Sequence, residues 1–415
     1  MVCRLRLDIP EGLVARDFAL SLLYLAAPGR VEARGEDVEV DMPDCDALLD
    51  VVSDLLGDPC RLAGSSPSSR RSVARTCSAE LPHASEFEKL GAKLRAGVRI
   101  RSVNDAIEAL RRLSRGETID SPRVDSRPLI RAEYREYARG FGGAVQGAAG
   151  STTGRGRRGR THSVSVIAAR SYLPVSIHAQ LLAALGYCAT LAAFEGGGRT
   201  HHLLVHRGFS DALQPLLPGL HAKLRLLYRR YIQASNILDP SVYLVAASAL
   251  VAAEASCADI EEGDLTLPVA RLTLKQRSAT LDVLEEAPLG SVYRLLCSAQ
   301  IDVQTNLLEP ILVLWDAAMR GADQITAILN RYANSLLVAS ITGSTDYLLA
   351  AERVAFAPLV SGSEVLHARG STCLERGACI CASDSTLPVG AALDRLVNFA
   401  RMALESLLAR RSMGP

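Results

Sequence analysis

Lysine is scarce in this 415-residue chain: Lys89, Lys93, Lys223 and Lys275 are the only four among 46 basic residues. None of them follows a glycine, which excludes the phosphate-loop lysine of P-loop nucleotide hydrolases. Long apolar runs are missing too. No stretch of eighteen uncharged apolar residues occurs, and Arg4, Arg6 and Asp8 stand where a signal peptide is apolar, so a soluble, cytoplasmic protein is expected. The chain has no G-x-S-x-G, no H-E-x-x-H and no His-Asp dipeptide, and catalysis is therefore not expected. Ten cysteines in an intracellular chain are expected as free thiols, with disulfides only in the case of a hyperthermophilic source.

What is present is a concentration of positive charge. Between Arg127 and Tyr231 fifteen bases stand against four acids, a net charge of +11 in a chain whose total is +1. The rest of the molecule is correspondingly acidic, and a basic surface on an acidic body attracts polyanions. At the centre of the segment lie Arg155, Arg157, Arg158 and Arg160 with Gly154, Gly156 and Gly159 between them. Glycine lets backbone approach phosphates closely, and the guanidinium fork bonds phosphate oxygens in pairs. Arg170, Arg199 and Arg207 continue the track, and Arg127, Arg131, Arg135 and Arg139 form one stripe if that segment is helical. The three glycines also match G-x-G-x-x-G, but no apolar strand precedes them and arginines fill positions that the dinucleotide turn keeps small or apolar.

The fold class expected is α+β. Alternation at Cys3, Leu5, Leu7 and Ile9, a helix over Leu13 to Ala26, a hairpin turning at Gly35 and a helix opened by Pro43 predict a ferredoxin-like (βαββα) half-domain over residues 1–57. A polar linker is expected over 58–82, a basic mixed α/β nucleic-acid-binding region over 83–212, and a helical bundle over 213–415 with short strand-like and Cys-rich loop insertions. Within these, helices are expected at Val103 to Leu113, capped by Ser102 or Asn104, and at Pro174 to Ala193. Strands are expected at Ser163 to Ala168, His201 to Arg207 and Leu265 to Leu274.

Two clusters invite metal chemistry. His202 and His206 would share a strand face, but roughly 13 Å apart, too far for one ion without a bend, so polar or phosphate-facing histidines are the expectation. His367, Cys373, Cys379 and Cys381 have the spacing H-x5-C-x5-C-x-C, which suits either a structural zinc or iron–sulfur site or, alternatively, a disulfide or free thiols in a loop. On the helix from Leu220 to Tyr231, Tyr228 and Tyr231 interleave with Lys223, Arg225, Arg229 and Arg230. There the spacing favours core over a base-stacking surface.

The order of parts, a ferredoxin-like start, an Arg-rich middle with a Gly-rich loop, a Pro-led apolar helix from Pro174 and a long helical tail, resembles the large subunit of archaeal type I-A CRISPR interference (Cascade) complexes. The resemblance implies a subunit of an RNA-guided antiviral surveillance complex that helps recognise the protospacer-adjacent motif and stabilises opened target DNA. It implies target DNA, guide RNA and backbone subunits as partners, with helicase and nuclease functions on other proteins. Two other classes fit the same sequence: an interaction protein docking an acidic partner through its basic middle, and a zinc-dependent enzyme built on the cysteine cluster.

Overall fold

The computed structural model describes residues 2–56, 100–115, 176–205, 211–299, 301–373, 380–381 and 386–412, apart from positions 10, 12, 101, 196–198, 258–259, 261–264 and 276–277. It is a mixed α+β protein that divides into two compact units. Unit 1 comprises Met1–His206 with Val269–Glu285, and unit 2 comprises Arg207–Pro268 with Glu286–Pro415.

Unit 1 begins with β1 (Cys3–Arg6), α1 (Val14–Ala26), β2 (Val31–Arg34), β3 (Asp37–Val40) and α2 (Cys45–Leu56). β3 lies between β1 and β2 and is antiparallel to both, with Cys3 opposite Val40 and Val31 opposite the same residue. The β2–β3 turn needs a left-handed residue, and Gly35 supplies it at φ +59°. Cys3, Leu7, Val38 and Val40 are buried, while Arg4, Arg6 and Arg34 point outward and pair with Glu39, Glu36 and Glu32. Asp44 accepts from the Ala47 amide at 2.7 Å and starts α2, one residue after Pro43.

Buried Arg16 of α1 ties this sheet together. Its guanidinium donates to the carbonyls of Leu7 (3.0 Å) and Ile9 (2.9 Å) and to that of Gly35. α3 (Val103–Ser114) opens with a complete capping box, in which Ser102 accepts from the Asp105 amide and Asp105 from the Ser102 amide.

α4 (Ile177–Thr190) is shorter than the expected Pro174 to Ala193 helix. Leu191 to Glu195 instead form β4, which turns into β5 (Arg199–Leu203). The Ala/Leu run gives no local signal to stop. Pairing across the sheet sets the end, with Leu191 opposite His202 and a bulge between Leu191 and Ala193. β5 then pairs with β6 (Thr266–Lys275), followed by β7 (Ser278–Pro288), in the order β4-β5-β6-β7. In place of the strand expected at His201 to Arg207, β5 begins two residues earlier and ends at Leu203, and β7 lies where no strand is expected.

Unit 2 is mainly helical: α5 (Leu217–Ala234), α6 (Pro240–Glu254), α7 (Gly290–Ser298), α8 (Glu309–Met319), α9 (Asp323–Thr342), α10 (Thr345–Ser361) and α11 (Val389–Ser412), with β8 (Arg369–Ser371) pairing β9 (Thr386–Pro388). Trp315, Tyr332 and Phe399 are among its largest fully buried side chains. The Tyr332 hydroxyl donates to the Leu396 carbonyl at 2.9 Å, joining α9 to α11. No described helix is long and apolar enough to cross a membrane.

The cysteines depart from the free-thiol expectation. Cys3 is bonded to Cys45 and Cys257 to Cys297, with Cα atoms 4.9 and 5.2 Å apart, and Cys373 is also disulfide-bonded. The hydrophobic pattern brings each of the two pairs to bridging distance from about forty residues apart, which spacing along the chain does not reveal.

Candidate functional site

Arg155, Arg157, Arg158, Arg160, Arg170 and Arg207 lie outside the described residues, as do the stripe from Arg127 to Arg139, the expected strand at 163–168 and the linker at 58–82. The remaining track residue, Arg199, opens β5 with its side chain half exposed, 3.6 Å from the Glu195 carboxylate on β4. The four bases of α5 are buried or paired with acids. Lys223 pairs with Glu254, Arg225 and Arg229 are buried, and Arg230 reaches Asp316 at 4.0 Å. Tyr231 stacks on Tyr243 and Tyr228 meets it edge-on, both at 5.2 Å; Tyr228 and Tyr243 are core, while Tyr231, expected as core, is half-buried at its edge. Burial, reinforced by Tyr228 and Tyr231, raises the Tyr243 phenol well above its ordinary range.

Of the Cys/His set, His367 is exposed at the end of a 3-10 turn and Cys379 lies outside the described residues. Cys373 has its sulfur in a disulfide, a bonding state that offers no thiolate to a metal. Cys381 is a buried free thiol pushed up to about 12, first by burial and then by Glu309, with Lys223 opposing. It holds its proton at neutral pH and is a poor nucleophile there.

A cavity of about 390 Å³ lies in unit 1. Leu5, Leu23, Leu48, Val52, Leu113 and Leu182 wall it from β1 and all four helices, and the Cys3–Cys45 disulfide is presented at its side through Cys45. Its polar neighbours are committed elsewhere. Arg4 and Arg6 hold glutamates, and the Ser114 hydroxyl donates to the Arg111 carbonyl at 2.8 Å. Ser176, the N-cap of α4, donates its amide and hydroxyl to the Asp8 carboxylate at 2.7 to 2.9 Å. His178 is hydrogen-bonded to the Leu113 backbone, and burial lowers its pKa. The cavity therefore suits an apolar group, and among the described residues no general acid–base pair or activated nucleophile faces it.

A second polar cluster, in the core of unit 1, gathers His201 and His202. His201 is buried, with Nε2 3.2 Å from Glu195 Oε2, and burial lowers its pKa against the raising effect of that carboxylate. His202 is fully buried against the rings of Phe18 and Tyr187, which also meet each other edge-on. Neither faces outward as a phosphate contact would. The signal for His202 in the sequence was the β-branched threonines near it, Thr190 and Thr200, which supply the hydrogen bonds that its burial requires.

No protein-family model matches the chain, and no curated protein or solved structure matches it either.

Proposed function

We propose that the protein is a non-catalytic nucleic-acid-binding subunit of an RNA-guided surveillance complex, one that contacts target DNA and helps to hold it open. The observation that carries this reading is the disposition of charge. Of the fifteen bases between Arg127 and Tyr231, the five that belong to described elements are buried or held near acids of the same unit. The binding role therefore rests on the arginines from Arg127 to Arg170 and on Arg207, among which the tract from Arg155 to Arg160 places four cations in six residues with no acid.

The β1-β3-β2 order with α1 and α2 supports a ferredoxin-like reading of the first 57 residues, and the seven described helices of unit 2 support a helical C-terminal bundle. Both agree with the layout of a large Cascade subunit. Partners on this reading are target DNA, guide RNA and the backbone subunits, with a cytoplasmic location.

The test is binding of the full chain to labelled duplex DNA, single-stranded DNA and guide-like RNA across a salt series. The same series is run with Arg155, Arg157, Arg158 and Arg160 all changed to serine. Removing four phosphate-neutralising cations reduces the slope of log affinity against log salt on duplex DNA by about 3 to 4. An unchanged slope removes the tract from the interface, and no binding at low salt favours an acidic protein partner instead.

A further inference from the structure

β5 buries histidine on both of its faces, since His201 and His202 are consecutive and their side chains point to opposite sides of the sheet. His202 Nδ1 lies 3.2 Å from the Thr190 hydroxyl at the end of α4, and Nε2 lies 3.1 Å from the Thr200 hydroxyl on its own strand. Its ring centroid is 4.2 Å from that of Tyr187 and 4.9 Å from that of Phe18.

A hydroxyl has one hydrogen to give, and here that fixes the direction of each bond. Thr190 Oγ1 stands 2.8 Å from the Gly186 carbonyl oxygen, and two oxygens at that separation need a hydrogen between them. The carbonyl can only accept, so Thr190 donates to it and has only a lone pair for His202. Nδ1 must then carry the ring hydrogen. At the other nitrogen, Thr200 already accepts from the Tyr187 phenol at 3.1 Å, and its own hydrogen is available for the lone pair of Nε2. The chain of donors runs in one direction, from Tyr187 through Thr200, His202 and Thr190 to the Gly186 carbonyl.

Thr200 has a second acceptor within reach, the Leu272 carbonyl of β6 at 3.5 Å. A second proton on the ring would sit on Nε2 and turn Thr200 from donor to acceptor, sending its hydrogen to Leu272. The hydrogen bonds survive that exchange, but a cation is left in a fully buried site. The charged and titratable groups on the elements packed around it include Arg16, Asp17 and Tyr24 of α1, His178, Tyr187 and Cys188 of α4, Glu195 of β4, Arg199 and His201 of β5, and Arg271 of β6.

We propose that His202 is a proton-sensitive lock between α4 and the β4–β7 sheet, held as the neutral Nδ1–H tautomer, with Thr200 as the rotor that a second proton turns. Acidification loosens unit 1 through this ring.

The test is a long-range proton–nitrogen spectrum of the full chain with ¹⁵N-labelled histidine, from pH 8 downward. His202 is assigned by the signal lost in His202→Gln. The expected pattern at pH 8 is protonated Nδ1 and unprotonated Nε2, with Nε2 gaining a proton only as the folded protein is acidified, and with a change to Nε2–H at pH 8 in Thr190→Val. An Nε2–H or cationic ring in the folded wild type at pH 8 overturns the proposal, and so does an unchanged tautomer in Thr190→Val. Should Thr190→Val not fold, urea unfolding of Thr200→Val decides. Without the rotor the urea midpoint keeps falling at pH values where that of the wild type has levelled off, and parallel pH profiles overturn the proposal.

Discussion

Gly186 of α4 lies so close to Phe18 of α1 that a Cβ on the glycine would overlap the Phe18 carbonyl group. The obstruction is backbone, which has no alternative rotamer to adopt, so the two helices must separate if a side chain is added. Gly186→Ala is expected to destabilise unit 1 by about 1–3 kcal/mol, the usual range for overpacking. Chemical denaturation reads this as a lowered midpoint, and an unchanged midpoint would mean that the helices do not meet at this glycine.

The Cys3–Cys45 bond closes a loop with a sequence separation of 42 and fastens α2 to β1 beside the apolar cavity. Chain-entropy arguments give a bridge of that span up to about 4 kcal/mol. Cys45→Ser is expected to lose about 2–4 kcal/mol, and mass spectrometry of the unreduced wild-type chain is expected to find Cys3 and Cys45 in one linked peptide. Recovery of both as free thiols from protein purified without reductant would contradict this.

Acid should weaken unit 1. Burial lowers the pKa of both His178 and His201, against the raising effects of the Leu113 backbone and Asp8 on the first and of Glu195 on the second. A folded-state value below the ordinary one, about 6.5, means that the unfolded chain binds more protons between the two. Their contribution to stability is full above about pH 6.5 and is lost as pH falls from there toward the folded-state value. The urea midpoint of the wild type should decline below that pH, and that of His201→Gln should decline less. An equally steep decline in the variant would show that His201 is not one of the groups responsible.

Arg229 gives a test that separates the two fates of basic residues in this protein. It is buried in α5, so Arg229→Ala should lower stability by about 1–3 kcal/mol through groups left without a partner. The salt slope for nucleic acid should stay where it is. A reduced slope with intact stability would make Arg229 a phosphate contact instead.

Much of this fold is legible in the sequence where one face is buried and the other is not. The alternation in β1, the capping box at Ser102 and the helical spacing of Leu48, Leu49, Val52 and Leu56 each specify an element from local information. Elements decided by distant partners are less legible. β4 continues the apolar composition of α4 and is a strand because β5 is beside it, while β7 carries Asp282, Glu285 and Glu286, which break the alternation that marks a strand. The candidate site divides in the same way. The charge asymmetry is plain in the composition, but the burial of Arg225 and Arg229 depends on how α5 packs, and arginine in a helix normally reads as surface. The pairing of Cys3 with Cys45 is long-range geometry, and one-dimensional spacing carries no trace of it.

The hairpin of β6 and β7 also sets an order of events at the ribosome. The partner of Thr200 on the next strand is Leu272, 72 residues later, so the β4–β7 sheet cannot close until that stretch has been made. At ordinary translation rates the delay is roughly 4 to 14 s, during which β5 has an open hydrogen-bonding edge and the core around Phe18 and Tyr187 lacks its cover from Ala270 and Leu272. The N-terminal unit is thus begun first and completed late, and a nascent chain stalled before Val269 is the form most exposed to aggregation and most in need of a chaperone.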